Sequence, residues 1–136
     1  MKDISTALRT RMQEAAGSLA LPVAWPMEAF TPPDGDWLEF VFRAASDAPL
    51  SQGPGGLNNI VGFIRITVHC KQREGVSSDA LFYGDHLRTF FPTGATLTCN
   101  ETRVILKNRD YNGPLVVAGH VVWILTVYWS SCESRS

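Results

Sequence analysis

Ile4, Leu8, Met12, Ala15, Ala16 and Leu19 recur at helical spacing, and Arg9, Arg11, Gln13 and Glu14 fall on the opposite side. The period predicts an amphipathic helix from about Ile4 to about Leu19. Asp3 or Ser5 is placed to accept a bond from the free N–H groups of its first turn. Pro22 prevents continuation. The proline-punctuated connection to Asp36 offers a short strand at Val23–Trp25 and a turn at Thr31–Gly35. Alternation then sets in: Leu38, Phe40 and Phe42 face one way, and Trp37, Glu39, Val41 and Arg43 the other. That is a half-buried strand over Trp37–Arg43.

Ser46–Asn59 (SDAPLSQGPGGLNN) has almost nothing apolar to anchor it and reads as a mobile loop. A strand from about Ile60 to Lys71 follows, with Ile64, Ile66, Val68 and Cys70 on one face. Ser77 or Ser78 can cap a second helix, which ends near Phe91. Ala80, Tyr83, Gly84, Leu87, Phe90 and Phe91 form its stripe, and Pro92 and Gly94 stop it. Leu97–Cys99, Arg103–Lys107 and Leu115–Ala118 read as short strands, with a turn at Asn112-Gly113. His120–Trp129 is apolar on both faces and is predicted to lie centrally in a sheet. Residues 133–136 read as a frayed tail. The order predicts an α+β fold, a mostly antiparallel mixed sheet with both helices packed on one face.

Composition narrows the function classes. A length of 136 residues fits one domain over 1–136, and 45% hydrophobic with 18% charged residues is the balance of a chain with a core. Net charge is −1 and no basic stripe is present, which argues against sequence-specific nucleic-acid binding. The N-terminus is too charged for a signal peptide, and Val121–Trp129 is too short to span a bilayer as a helix, so no membrane partner is expected. Cys70, Cys99 and Cys132 form no CxxC and are expected as free thiols in a reducing compartment.

No residue set assembles into an active site. His69 and Cys70 are adjacent on a strand and point to opposite faces, so they do not grip one metal together. Asp85-His86 sits mid-helix, where neighbours diverge, and both are expected to be solvated. Asp34, Asp36 and Glu39 offer carboxylates, two of them in a turn where aspartate is common anyway. Gly53-Pro54-Gly55-Gly56 lacks the lysine and the following helix of a phosphate loop. The expected catalytic, cofactor-binding and metal residues are therefore none. An enzyme using Asp34, Asp36 or His69, and a ligand module using the tryptophans and tyrosines, stand as rivals.

The sequence of elements carries more. A short N-terminal helix leads into Trp25-Pro26-Met27-Glu28-Ala29-Phe30-Thr31-Pro32, then a strand and a Gly/Pro loop. Gly62-Phe63-Ile64-Arg65-Ile66 opens the next strand. A helix with Asp85-His86-Leu87-Arg88 ends at Phe90-Phe91-Pro92, and the chain closes on Val121–Trp129. This resembles the tail terminator family of long-tailed bacteriophages and prophages, over about Ile4 to Trp129. The resemblance implies a non-enzymatic virion subunit that forms a ring, commonly a hexamer. Such a ring caps the tail tube, ends its polymerisation and presents a surface for head joining. Implied partners are further copies of the chain, the tail tube protein and a head-completion protein. Assembly would take place in the host bacterial cytoplasm, and the product would reside in the virion tail. Another neck or connector protein is the alternative of the same kind. The family supplies no fixed interface motif. The expected interface residues, Ser51, Gln52, Gly53, Pro54, Gly55 and Gly56, come from the loop's composition alone.

Overall fold

The computed structural model describes residues 1–49 and 57–134, with the backbone alone for 46–49, 57–58 and 133–134. Helix α1 (Lys2–Leu19) is followed by strands β1 (Val23–Ala24), β2 (Trp37–Pro49) and β3 (Leu57–Lys71). Helix α2 (Val76–Phe90) precedes β4 (Thr96–Cys99), β5 (Thr102–Val117) and β6 (His120–Ser134). The six strands form one sheet in the order β1-β2-β3-β6-β5-β4, curled into a half-barrel. The β1–β2 pair is parallel and every other pair antiparallel. This is the α+β mixed sheet that the sequence predicts.

Alternation places the core. Phe40 lies opposite Ile66 and Ile66 opposite Leu125; Leu38, Val68 and Trp123 form a second row. These rows share one cluster with Leu8 and Met12 of α1 and Leu87 of α2, so both helices cover the same face. Phe42 and Phe90 pack against its margin. The close approach of α2 to β6 depends on Gly84, where a Cβ would meet the Trp123 ring at 2.8 Å. Helix α1 ends with Ala20 in the left-handed region (φ 56°), and Leu21 N–H bonds back to Ala16 O at 3.2 Å. That closes the helix in the manner usually served by glycine.

Several expectations are corrected. Neither Asp3 nor Ser5 caps α1; the N-cap is Met1, without a side-chain bond. Asp3 instead accepts from Asn100 Nδ2 at 3.2 Å. Helix α2 starts from Gly75 (φ 76°) rather than from a serine cap. The Ser46–Asn59 connection is shorter than predicted, because the β2–β3 ladder runs on to Ala48↔Asn59 and Pro49↔Asn58. The tail residues Glu133 and Ser134 likewise belong to β6, opposite Asn58 and Leu57. Backbone pairing requires no apolar pattern, so a polar strand end gives no periodic signal.

The largest difference lies in β5. Asn112-Gly113 is not a hairpin turn but a bulge within one continuous strand, between the pairs Asn112↔Ile124 and Leu115↔Val122. A second bulge separates Leu106↔Trp129 from Arg109↔Val127. The chain reverses instead at Ala118-Gly119, with φ of 50° and 80°, the two positive values that a tight hairpin turn requires.

Candidate assembly surface

Of the residues proposed for chemistry, Asp36 and His69 are tied into local scaffolding. Asp36 is the hub of one cluster. Its side chain is only 8% exposed and is held by both Arg73 terminal nitrogens at 2.9 Å. Lys71 N–H donates to it at 3.0 Å and Tyr83 Oη at 2.9 Å. Burial pushes the carboxyl pKa up, but these donors outweigh it and hold Asp36 below the ordinary carboxylate range. Burial, then the bond to Asp36, pushes the Tyr83 phenol up to about 12. Arg73 also reaches Asp79 at 2.7 Å. The cluster thus pins the end of the long connection to β3 and to the first turn of α2.

The other candidates do not converge on it. Asp34 is solvent-exposed, 3.6 Å from Lys71 Nζ. His69 stacks on Trp37, with ring centroids 3.9 Å apart, and meets Glu39 Oε1 at 3.1 Å. Cys70 faces the core, where burial raises its thiol to about 12. Asp85 is exposed beside Arg88, whereas His86 is partly covered, 2.9 Å from Ser18 Oγ and against Phe90. Among the described residues, no three His, Cys, Asp or Glu are grouped to hold a metal ion. Trp123 and Trp129 are buried in the core, so they offer no stacking platform. Ser51, Gln52, Gly53, Pro54, Gly55 and Gly56 lie outside the described residues.

Most exposed apolar side chains belong to two elements, and on β5 they alternate between both faces of the sheet, Tyr111 and Val116 on one and Leu115 and Val117 on the other. Leu81 and Phe82 on α2, and Tyr111, Leu115, Val116 and Val117 on β5, are all exposed, Val116 to 68%. The bulges explain why alternation hides this. Val104 and Leu106 point into the core at even positions, but beyond the first bulge it is Arg109 and Tyr111 that share the face of Val127 and Leu125. After the second bulge Val116, opposite the buried Val121, returns to that face, with no helix over it. The outer edge of β5 is also open among the described residues. β4 pairs only with Thr102–Ile105, and the preceding Gly94 and Ala95 reach β5 at Leu106. Arg109 stays anchored, donating to the carbonyls of Arg88 at 2.9 Å and Phe91 at 3.3 Å.

The opposite side of the sheet carries a different feature. Met27 is fully exposed (106%) and holds φ at 60°, rare for a bulky residue. It sits in a turn closed by Glu28 N–H to Trp25 O at 3.3 Å. Arg9 braces that turn, pairing with Glu28 at 2.8 Å and lying over the Trp25 ring at 4.3 Å. Beside it, β1 pairs with β2 only at Leu38 and Glu39. The outer edge of β2 from Val41 to Pro49 is therefore unpaired among the described residues. An open groove of about 400 Å³ lies between these regions, lined by Val61, Phe63, Tyr128 and Lys107 among others.

No curated protein is significantly similar to this chain. Solved structures share the fold. One is 22% identical with a TM-score of 0.78, covering 96% of this chain and 94% of the other. Another belongs to the virion of a native gene transfer agent particle, at 14% identity and a TM-score of 0.60, covering 98% and 96%. The model of the phage tail terminator proteins matches residues 3–129, from α1 into β6. With the match spanning nearly its whole length, the chain belongs to the phage tail terminator family, a family of tail structural proteins and not of enzymes.

Proposed function

We propose that copies of this chain close into a ring, a hexamer as the family resemblance implies, that caps the tail tube. The ring ends tube polymerisation and offers its other side to a head-completion protein. Assembly takes place in the host bacterial cytoplasm. The family match over residues 3–129 carries this reading. The surface supports it: Asp36 and His69 are tied into scaffolding, whereas apolar side chains and strand edges stand open. A closed ring needs two different complementary patches on each subunit.

Deletion of the gene from the parent phage or prophage tests the proposal. The expected result is overlong tails that fail to join heads. Tails of normal length, already joined, would refute it. The Ser51–Gly56 segment remains a proposed contact with a neighbour or the tube, on composition alone. Removing those six residues should leave a folded subunit and spoil tail-length control; unchanged tails would exclude the segment.

A further inference from the structure

We propose that the sheet face turned away from the helices docks a short acidic segment of a partner protein, with Arg43, Arg65 and Lys107 receiving its carboxylates. The inference goes beyond the ring reading and holds whether or not the chain closes into a ring. Helices α1 and α2 both cover the other face, so no helix lies over this one. Strand pairing gathers on it cations that look scattered in the sequence. Arg43 lies opposite Phe63, and Phe63 opposite Tyr128. Tyr128 falls at the first bulge of β5, which sets Lys107 and Asn108 against it. One row therefore runs Arg43, Phe63, Tyr128, Lys107 across four strands. Arg65 adds its guanidinium, 5.5 Å from the centre of the Phe63 ring. The open groove of about 400 Å³ follows this row, between Phe63, Tyr128 and Lys107.

Charge selects the occupant. Arg9, Lys71, Arg73 and Arg88 each sit beside a carboxylate of their own subunit, and Arg11 and Arg109 serve helix carbonyls. Among the described residues, Arg43, Arg65 and Lys107 meet no carboxylate; Arg43 donates to the carbonyl of its neighbour Phe42 at 3.2 Å. Glu39 and Asp110 share the face, but Glu39 is engaged by His69, and Asp110 accepts from the Tyr128 hydroxyl. These two carboxylates disfavour a nucleic acid, whose every unit carries a phosphate. The Phe63 ring also already carries a guanidinium where a base would stack. A peptide places its carboxylates only where cations stand, and a guanidinium held against a ring presents a fixed fork to one. Strands lie about 4.8 Å apart, so the row spans about 14 Å, the length of about four extended residues. The fitting segment is acidic at both ends and apolar between them, over Phe63 and Tyr128. A second copy of this chain is a poor source: its Glu28, Asp34, Asp79 and Asp85 each already face a cation of their own subunit.

An NMR titration of the whole chain tests this, with the end-blocked peptide Glu-Leu-Leu-Glu as probe and Gln-Leu-Leu-Gln as control. The acidic peptide should shift the backbone amides of Phe63, Arg65, Lys107 and Tyr128 in a saturable manner, and the control should leave them in place. The double variant Arg65→Gln, Lys107→Gln alters exposed side chains, so amides away from the row should keep their positions. Its dissociation constant for the acidic peptide should rise about tenfold. Absence of shifts along the row, equal shifts from the control, or an unchanged affinity in the double variant would overturn the proposal. Tighter binding of a thymidine tetranucleotide on the same row would overturn it in favour of nucleic acid. Shifts of the row on concentrating the protein alone would overturn it in favour of a second copy. Tail length enters none of these readouts, so a failed titration and a failed terminator reading are told apart by the gene deletion.

Discussion

Two small residues act against their intrinsic preferences, and each gives a test of the packing. Replacing glycine by alanine inside a helix ordinarily stabilises it by about 1 kcal/mol. At Gly84 the sign should reverse. The new methyl would sit 2.8–2.9 Å from three atoms of the buried Trp123 ring, which has no free end to swing away. Gly84→Ala should therefore destabilise the protein by about 1–3 kcal/mol. Ala20 is the mirror case. It holds φ 56° at the end of α1, where a Cβ is unfavourable. Ala20→Gly should stabilise by about 1 kcal/mol, with the loss of unfolded-chain restriction keeping the gain small. Urea unfolding of both variants checks the pair. Asp36 adds a pH test. Its folded pKa is depressed, so its contribution is present above its unfolded value of about 4 and is lost as pH falls through the folded value. The unfolded chain binds the extra proton in that window, so stability rises with pH there. Asp36→Asn should lower the melting temperature at pH 7, and the gap to wild type should narrow steadily below about pH 4. A constant gap down to pH 2 would show that the clamp is not electrostatic.

At the scale of elements, legibility follows burial. The stripes of α1 and α2 and the rows Phe40–Ile66–Leu125 are readable because each buries a regular subset of positions. Strand ends beyond Arg43 and Trp129 are not, because a polar ladder leaves no period. β5 defeats the pattern for a second reason. Each bulge shifts parity by one residue, so an alternation count that is right at Val104 is wrong at Tyr111. The exposed face of β5, and with it the candidate surface, is hidden by that shift. Met27 gives no signal at all, since nothing in Trp25-Pro26-Met27-Glu28 says that the methionine will be held outward. The capping of α2 is equally silent. Its C-terminal carbonyls are served by arginines from distant elements, Arg11 to Phe90 O at 3.3 Å and Arg109 to Arg88 O and Phe91 O. These cations also suit the negative end of the helix. Arg109→Ala should cost about 1.5 kcal/mol in urea unfolding, and Arg109→Lys should recover part of it. Equal loss in both variants would mean that the placement of the guanidinium nitrogen that serves both carbonyls matters more than the charge.

At the scale of the molecule, the distribution of apolar surface sets what kind of assembly to expect. The subunit is nearly neutral, at −1, and its charged side chains are largely engaged with their own neighbours, as in the Arg73 and Arg9 clusters. Its unengaged surface on the α2–β5 side is aliphatic and aromatic. Long-range repulsion between subunits is therefore weak, and attraction comes from apolar contact at short range. Salt distinguishes this from an ionic ring. Exposed charge pairs are largely screened once the Debye length falls to about 3–10 Å between 1 M and 0.1 M salt, whereas apolar burial is not. Concentrated recombinant protein should keep the same oligomer distribution, by sedimentation velocity, between 0.1 M and 1 M sodium chloride. It should lose its oligomers on cooling before it loses its fold, because hydrophobic attraction weakens as temperature drops. Dissociation by salt at constant temperature would place charged residues at the ring contact and count against the apolar surface on α2 and β5.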